Sequence, residues 1–210
     1  MIVVVAIAIS ALIKTFLIQS FVIPSESMRD TLEVSDRILV SKLVPSPRQI
    51  NRGDVIVFRD SQDWLPPSER QEPSTSPLAR FFTAVGLRAD DSSNYLVKRA
   101  IGLPGDSVAC CDAQGRLSVN GTPIDEPYLK PGVVPSEVEF SVSVPPGHLW
   151  VMGDNRSNSV DSRAHRDTPG RGFVPIDDVV GRAFVIMWPV TRWAPLSNTD
   201  AFTSVPPATR

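Results

Sequence analysis

Hydrophobic and polar positions divide the chain into two regimes. Residues 2–13 (IVVVAIAISALI) carry no charge, and after Lys14 the apolar character resumes as TFLIQSFVI up to Ile23. A run that is apolar on all sides belongs to a buried or membrane-spanning helix, not to an amphipathic surface one. The pattern predicts a transmembrane anchor over residues 1–23. A span needs about 20 apolar residues to cross about 30 Å of hydrocarbon. From Met1 to Lys14 a helix rises only about 21 Å, and Lys14 at the midplane would cost about 2.5–3.5 kcal/mol. No basic flank precedes the run. The expectation is therefore that the natural chain starts upstream with a basic cytoplasmic segment, leaving Lys14 to snorkel to the outer face. Two alternatives are a cleavable signal peptide, with Ala8-Ile9-Ser10 as its site, and a buried core helix. The apolar stretch continues past Ser10, which weighs against the first.

Beyond Ile23 the periodicity shortens. Arg37–Ser41, 54–58 and 95–101 are β-branched runs bounded by turn residues. Residues 117–119 lead into Asn120-Gly121, a strong hairpin signal. Residues 137–144 alternate, with Val138, Phe140, Val142 and Val144 on one face. His148–Met152 and Val179–Trp188 complete the set. These runs predict a mainly β domain over 24–195, built of partly open, barrel-like antiparallel sheets. An insertion at about 61–91 opens polar and Pro-rich. It then offers a short helix at 77–87, where Leu78, Phe81, Phe82 and Val85 recur at i, i+3, i+4 and i+7. That helix is expected either to pack on the domain or to touch a membrane surface. Residues 196–210 lack periodicity and are expected to be disordered.

Composition narrows the choice of chemistry. Pro occurs 20 times in 210 residues, about twice ordinary usage, which suits loops and short strands. The net charge is −2 and no basic run exceeds two residues, so nucleic acid is not an expected partner. Cys110 and Cys111 are adjacent and read as two free thiols, although an exported domain would permit their oxidation. Neither His148 nor His165 lies near them in a zinc-ligand spacing. No metal or cofactor is expected.

Three polar segments interrupt the apolar pattern: Ile23-Pro24-Ser25-Glu26-Ser27-Met28, residues 95–106 (YLVKRAIGLPGD) and residues 152–163 (MGDNRSNSVDSR). Each alone has a bland explanation as a turn, a snorkelling lysine or a polar loop. In order, with Arg52-Gly53-Asp54 between the first two and Gly172-Phe173-Val174-Pro175 after the third, they resemble the bacterial type I signal peptidase family over almost the whole chain. The resemblance implies a membrane-bound serine endopeptidase with Ser27 as nucleophile and Lys98 as general base. It implies that Ser159 orients Lys98 and that Ser25 helps the Ser27 N–H to form an oxyanion hole. Asp161 and Arg163 would form a supporting ion pair. The implied partners are secretory preproteins with small residues before the cleaved bond, and membrane lipid. The implied enzyme is a single-pass protein with its catalytic domain on the extracytoplasmic side, expected to act as a monomer.

The chemistry is coherent from the residues upward. A serine hydroxyl needs a base, and an ordinary lysine, with a pKa of about 10.4, is protonated at neutral pH. Burial disfavours the ammonium form, and Leu96, Val97, Ala100 and Ile101 around Lys98 are apolar. Glu26, Asp30 and the linker AHRDTPGR after Arg163 depart from the family's common pattern. The linker carries His165, which opens a rival triad of Ser27, His165 and an aspartate. A non-catalytic membrane-tethered binding module is a further alternative, as is a self-cleaving or conjugation-processing peptidase.

Overall fold

The computed structural model describes residues 17–43, 50–68, 70, 94–196 and 200–208. The strands are β1 (Ile18–Val22), β2 (Arg37–Ser41), β3 (Val55–Arg59), β4 (Tyr95–Gly102), β5 (Ser107–Cys110), β6 (Ser118–Val119), β7 (Thr122–Pro123), β8 (Phe140–Ser143), β9 (His148–Met152), β10 (Phe173–Pro175), β11 (Val179–Trp188) and β12 (Ala194–Pro195). Eight of them form one sheet in the order β1-β2-β11-β3-β4-β9-β10, with β12 beside β11; β7-β6-β5-β8 form a second. Every pairing is antiparallel. The large sheet begins at β1 and ends at β10 without joining them, so it stays open, as the sequence pattern led one to expect.

Strand β3 explains why a short β-branched run sits at the centre. Val55 and Val57 point into a core with Phe21, Ile38 and Val40. Ile56 and Phe58, on the opposite face, enter a second core with Leu149 and Val151. All four are at most 2% exposed, so both faces of β3 are covered. A third core, with Ile101, Leu117, Phe140 and Trp150, fills the space beneath the small sheet. The β6–β7 hairpin turns on Asn120 and Gly121, both at positive φ, as a tight two-residue turn of the favoured hand requires.

Several expectations change. The expected anchor reached to Ile23, but Ile18–Val22 is strand β1, paired with β2 from Ile18↔Ser41 to Val22↔Arg37. The alternation in IQSFV turns Phe21 into the core, and Ile23 follows it there. Residues 1–16 lie outside the described residues, and among the described ones no helix is long and apolar enough to cross a membrane. The helix expected at 77–87 also lies outside them. In 137–144 only Phe140–Ser143 pairs, with β5, and Val138 is 52% exposed. The 196–210 segment is not all disordered: Asp200–Phe202 forms a 3-10 turn, and Phe202 and Val205 are buried in the core under the small sheet. Cys110 and Cys111 are joined as a disulfide rather than left as thiols; Cys110, at the end of β5, is also in that core.

Candidate active site

Between β1 and β2 the chain makes an excursion over 23–36 that closes on itself. The Ile23 N–H donates to the Asp36 carbonyl, and the Ser35 N–H donates to that of Ile23. Ile23, Met28 and Leu32 are buried and tie the excursion to the core. Ser25 stays exposed and Ser27 half-buried between these anchors. Apolar residues on either side thus fix the loop while its hydroxyls remain reachable.

Lys98 lies on β4 opposite Ile56 on β3. Strand alternation puts Leu96 and Ala100 on its face, and both belong to the same apolar cluster as Ile56. The lysine is 2% exposed. Its Nζ is 2.6 Å from Ser27 Oγ, within hydrogen-bonding reach. Burial lowers the pKa of Lys98 to about 8, against the pull of the Asp161 and Asp154 charges, which raise it; the Arg163 charge lowers it further. Ser25 Oγ lies 3.3 Å from Ser27 Oγ.

The segment after β9 supplies the support. Burial pushes Asp161 up, but the paired Arg163 and the Gly153 N–H outweigh it and hold the carboxyl below the ordinary range. Arg163 meets it with two prongs, Nε to Oδ1 at 2.9 Å and Nη2 to Oδ2 at 2.8 Å. The Gly153 N–H donates to Oδ2 at 2.9 Å, and the Val151 N–H to Ser162 Oγ. These bonds fold residues 159–163 back along the end of β9. The expected Asp161–Arg163 ion pair is therefore present.

The bond from Ser159 to Lys98 that the resemblance implies is not formed. Ser159 Oγ is buried without a hydrogen-bond partner. It lies beside the Asp161 carboxylate, whose charged form it favours, without reaching bonding geometry. Gly153 is packed under it: a Cβ at Gly153 would collide with both Ser159 Oγ and the Ser27 carbonyl oxygen. Only glycine lets the loop of Ser27 settle this closely on the end of β9.

His165, which its place in the linker would suggest is on an exposed loop, is buried instead. It is 8% exposed, its ring is stacked on Trp64 with centroids 4.3 Å apart, and its Nδ1 lies 3.0 Å from the Asp161 carbonyl. Those contacts occupy it structurally, and none of them is to Ser27.

Four further residues sit around the site without having been singled out for it. Arg99 and Asp154 form a buried two-pronged pair, at 2.8 and 2.5 Å. Arg99 also donates to the Gly53 carbonyl and lies 3.9 Å over the Tyr128 ring. Thr31 Oγ1 donates to Asp154 Oδ2, which ties the Ser27 excursion to the segment just after β9. Asn155 completes the contact: its N–H donates to the Ser27 carbonyl at 3.1 Å and its Nδ2 to the Glu26 carbonyl at 3.0 Å. The Lys-Arg and Gly-Asp-Asn spellings were visible in the sequence; their pairings across the fold were not. Among the described residues no cluster of His, Cys, Asp and Glu is arranged to hold a metal ion.

An accessible serine beside a buried, partly neutralised lysine, on an antiparallel β scaffold, has the make-up of a serine peptidase. The family model described as signal peptidase, peptidase S26 matches residues 1–188. A probable signal peptidase I from Mycobacterium leprae is 36% identical over 227 residues, covering 94% of this chain and 78% of the relative. Signal peptidase I from Mycobacterium tuberculosis is 38% identical over 219 residues, covering 94% and 74%. Signal peptidase I U from Bacillus subtilis is 36% identical over 193 residues, covering 87% and 84%. The chain belongs to the signal peptidase S26 family and is a serine endopeptidase acting on peptide bonds.

Proposed function

We propose that this protein is a membrane-bound endopeptidase that removes signal peptides from secreted preproteins, with Ser27 as nucleophile and neutral Lys98 as its base. The observation that carries the reading is the 2.6 Å approach of Lys98 Nζ to Ser27 Oγ inside an apolar setting that lowers the lysine's pKa to about 8. Lys98 takes the hydroxyl proton as Ser27 Oγ attacks the scissile carbonyl. The tetrahedral oxyanion is held by the Ser27 N–H and the Ser25 hydroxyl. As the C–N bond breaks, the Lys98 ammonium returns its proton to the leaving amine, and an ester remains on Ser27. Water then attacks the ester, giving a proton to Lys98, and Ser27 leaves as the alcohol on regaining it. Asp161, Arg163 and Ser159 act at one remove, shaping the ground on which Lys98 sits.

The membrane part of the reading rests on two features. Residues 2–13 are uncharged and apolar and lie a few positions before β1 in the chain, so an anchor formed there would hold Ser27 near the bilayer surface. The far end of β11 and the turn after it expose Met187, Trp188, Val190 and Trp193 at 37–68%, and tryptophan favours the membrane–water interface. A preprotein whose own signal helix lies in that bilayer would present its scissile bond at this height, as an extended strand added beside the site.

The test is processing of a preprotein by purified protein in detergent, wild type beside Ser27→Ala. Wild type should release the shortened product and Ser27→Ala should release none. Processing by Ser27→Ala at the wild-type rate, or none by wild type across pH and added lipid, would overturn the reading, the latter in favour of a tethered binding module.

A further inference from the structure

We propose that Asn155 is the residue that orients the Ser27 N–H toward the reaction's oxyanion, by fixing the two peptide planes on either side of Ser27. The inference deepens the reading above and rests on it. The geometry is that of one residue bridging two consecutive carbonyls. Asn155 Nδ2 donates to the Glu26 carbonyl at 3.0 Å. The Glu26 carbonyl and the Ser27 N–H belong to one peptide unit, which is planar and holds the two groups on opposite sides. A donor fixed on the oxygen therefore fixes where the N–H points. The Asn155 backbone N–H donates to the Ser27 carbonyl at 3.1 Å, which fixes the next plane in the same way.

Ser27 is thus the hinge between two clamped planes, and both clamps come from one side chain and its own backbone. A hydrogen bond to a carbonyl also polarises the N–H of the same amide, since bonded amides strengthen one another. The Nδ2 bond therefore both aims the donor and makes it a better one. Asn155 itself is held at the start of a 3-10 turn, Arg156–Asn158, where the Asn158 N–H donates to its carbonyl. The first residue of that turn, Arg156, is buried and paired with Glu126. The local turn of the excursion adds a second bond to the same acceptor, from the Arg29 N–H to the Glu26 carbonyl at 3.0 Å. That bond stays within the excursion; among the described residues it is the Asn155 bond that ties the Glu26 carbonyl to the sheet side of the site.

Asn155 touches no reacting atom in this scheme, so it is a positioning residue. Its signature is a loss in kcat with little change in KM, because an oxyanion donor is used only after the substrate has bound. Asn155→Ala removes the Nδ2 bond and keeps the backbone one. Asn155→Asp keeps the shape but sets a carboxylate oxygen against the Glu26 carbonyl. Preprotein processing is measured for both variants, for wild type and for Ser27→Ala, together with thermal unfolding. The expected result is a fall in kcat of about 10–100-fold, somewhat less than the loss of an oxyanion donor outright. KM should stay within about threefold and the pH midpoint of Asn155→Ala should be unchanged, since Lys98 is untouched. Asn155→Asp should be at least as impaired as Asn155→Ala, although it fills the same space.

Near-normal kcat in Asn155→Asp would mean that only the volume of the side chain matters, and would overturn the proposal. So would a change confined to KM, or loss of the thermal transition in either variant, which would make Asn155 a support of the fold. An active Ser27→Ala would remove the reading beneath the inference. An inactive Ser27→Ala beside an unimpaired Asn155→Asp would remove the inference alone.

Discussion

Lys98 is costly to the fold for the same reason that it suits the role proposed for it. Burial lowers its pKa from 10.5 to about 8, so the folded chain binds a proton there less readily than the unfolded chain does. Below about pH 8 both states hold the proton and the folded state bears the whole cost, about 3 kcal/mol at about 1.36 kcal/mol per pH unit. Between about pH 8 and 10.5 the folded amine has released its proton while the unfolded one still holds it, so stability rises with pH. Two results follow for measurement. The pH profile of kcat/KM should climb through a midpoint near 8, falling about tenfold per unit below it, because the neutral amine is the working form in the proposed reaction. Lys98→Met should be more stable than wild type by up to about 3 kcal/mol in denaturant at pH 7, and by less at pH 10. A less stable Lys98→Met at pH 7 would show that the cost lies elsewhere. At this scale the sequence was informative: Ser27 and Lys98, singled out from separate segments, come within 2.6 Å, and Asp161 and Arg163 form an ion pair. Ser159 was the exception. Spelling fixes a residue type at a position but not the rotamer, and here the hydroxyl sits beside Asp161 over Gly153.

Among the elements, the strands that sequence pattern located best are those with both faces or one clear face buried. Arg37–Ser41, His148–Met152 and Val179–Trp188 have the bounds their periodicity suggested. Strand β1 was missed because periodicity alone does not tell a short apolar strand from a stretch of helix; its pairing with β2 reveals it. Pairs across the fold were equally hidden. Arg52 Nε and Nη2 hold Asp106 at 2.7 Å each, which joins Arg52-Gly53-Asp54 to the 95–106 segment, separate in sequence. Arg99 and Asp154 are 1% and 0% exposed at the side chain, and they bind β4, the Ser27 excursion and the end of β9 into one unit. Removing one partner leaves the other charged and dry, which costs about 3–5 kcal/mol. Asp154→Ala should accordingly lose that much stability in urea unfolding. A loss below about 1 kcal/mol would mean that water reaches Arg99 and that the pair is not the unit's fastening.

For the whole molecule, the C-terminal segment and the exposed tryptophans matter most. Phe202 and Val205 cover the core under the small sheet, and the Pro206 carbonyl accepts from Arg52 and Asn120. Lack of periodicity in residues 196–210 suggested disorder, but two apolar side chains and one carbonyl are enough to seat a segment without any repeat. Trp188 and Trp193, 53% and 66% exposed, form the opposite case: apolar side chains left in water. If this face meets the bilayer, Trp188→Ala with Trp193→Ala should weaken co-sedimentation with anionic phospholipid vesicles severalfold while peptide-scale folding, read by thermal unfolding, is retained. Unchanged vesicle binding would assign membrane attachment to the N-terminal apolar run alone.

The central claim is that the base acting on Ser27 is a buried lysine and not the nearby histidine, and the initial rate of preprotein cleavage by Lys98→Ala beside His165→Ala tests it most directly. Lys98→Ala should lose at least about 100-fold, the lower end of what a general base contributes. His165→Ala should stay within about tenfold of wild type, since His165 is engaged with Trp64 and the Asp161 carbonyl. An active Lys98→Ala beside an inactive, folded His165→Ala would contradict the account.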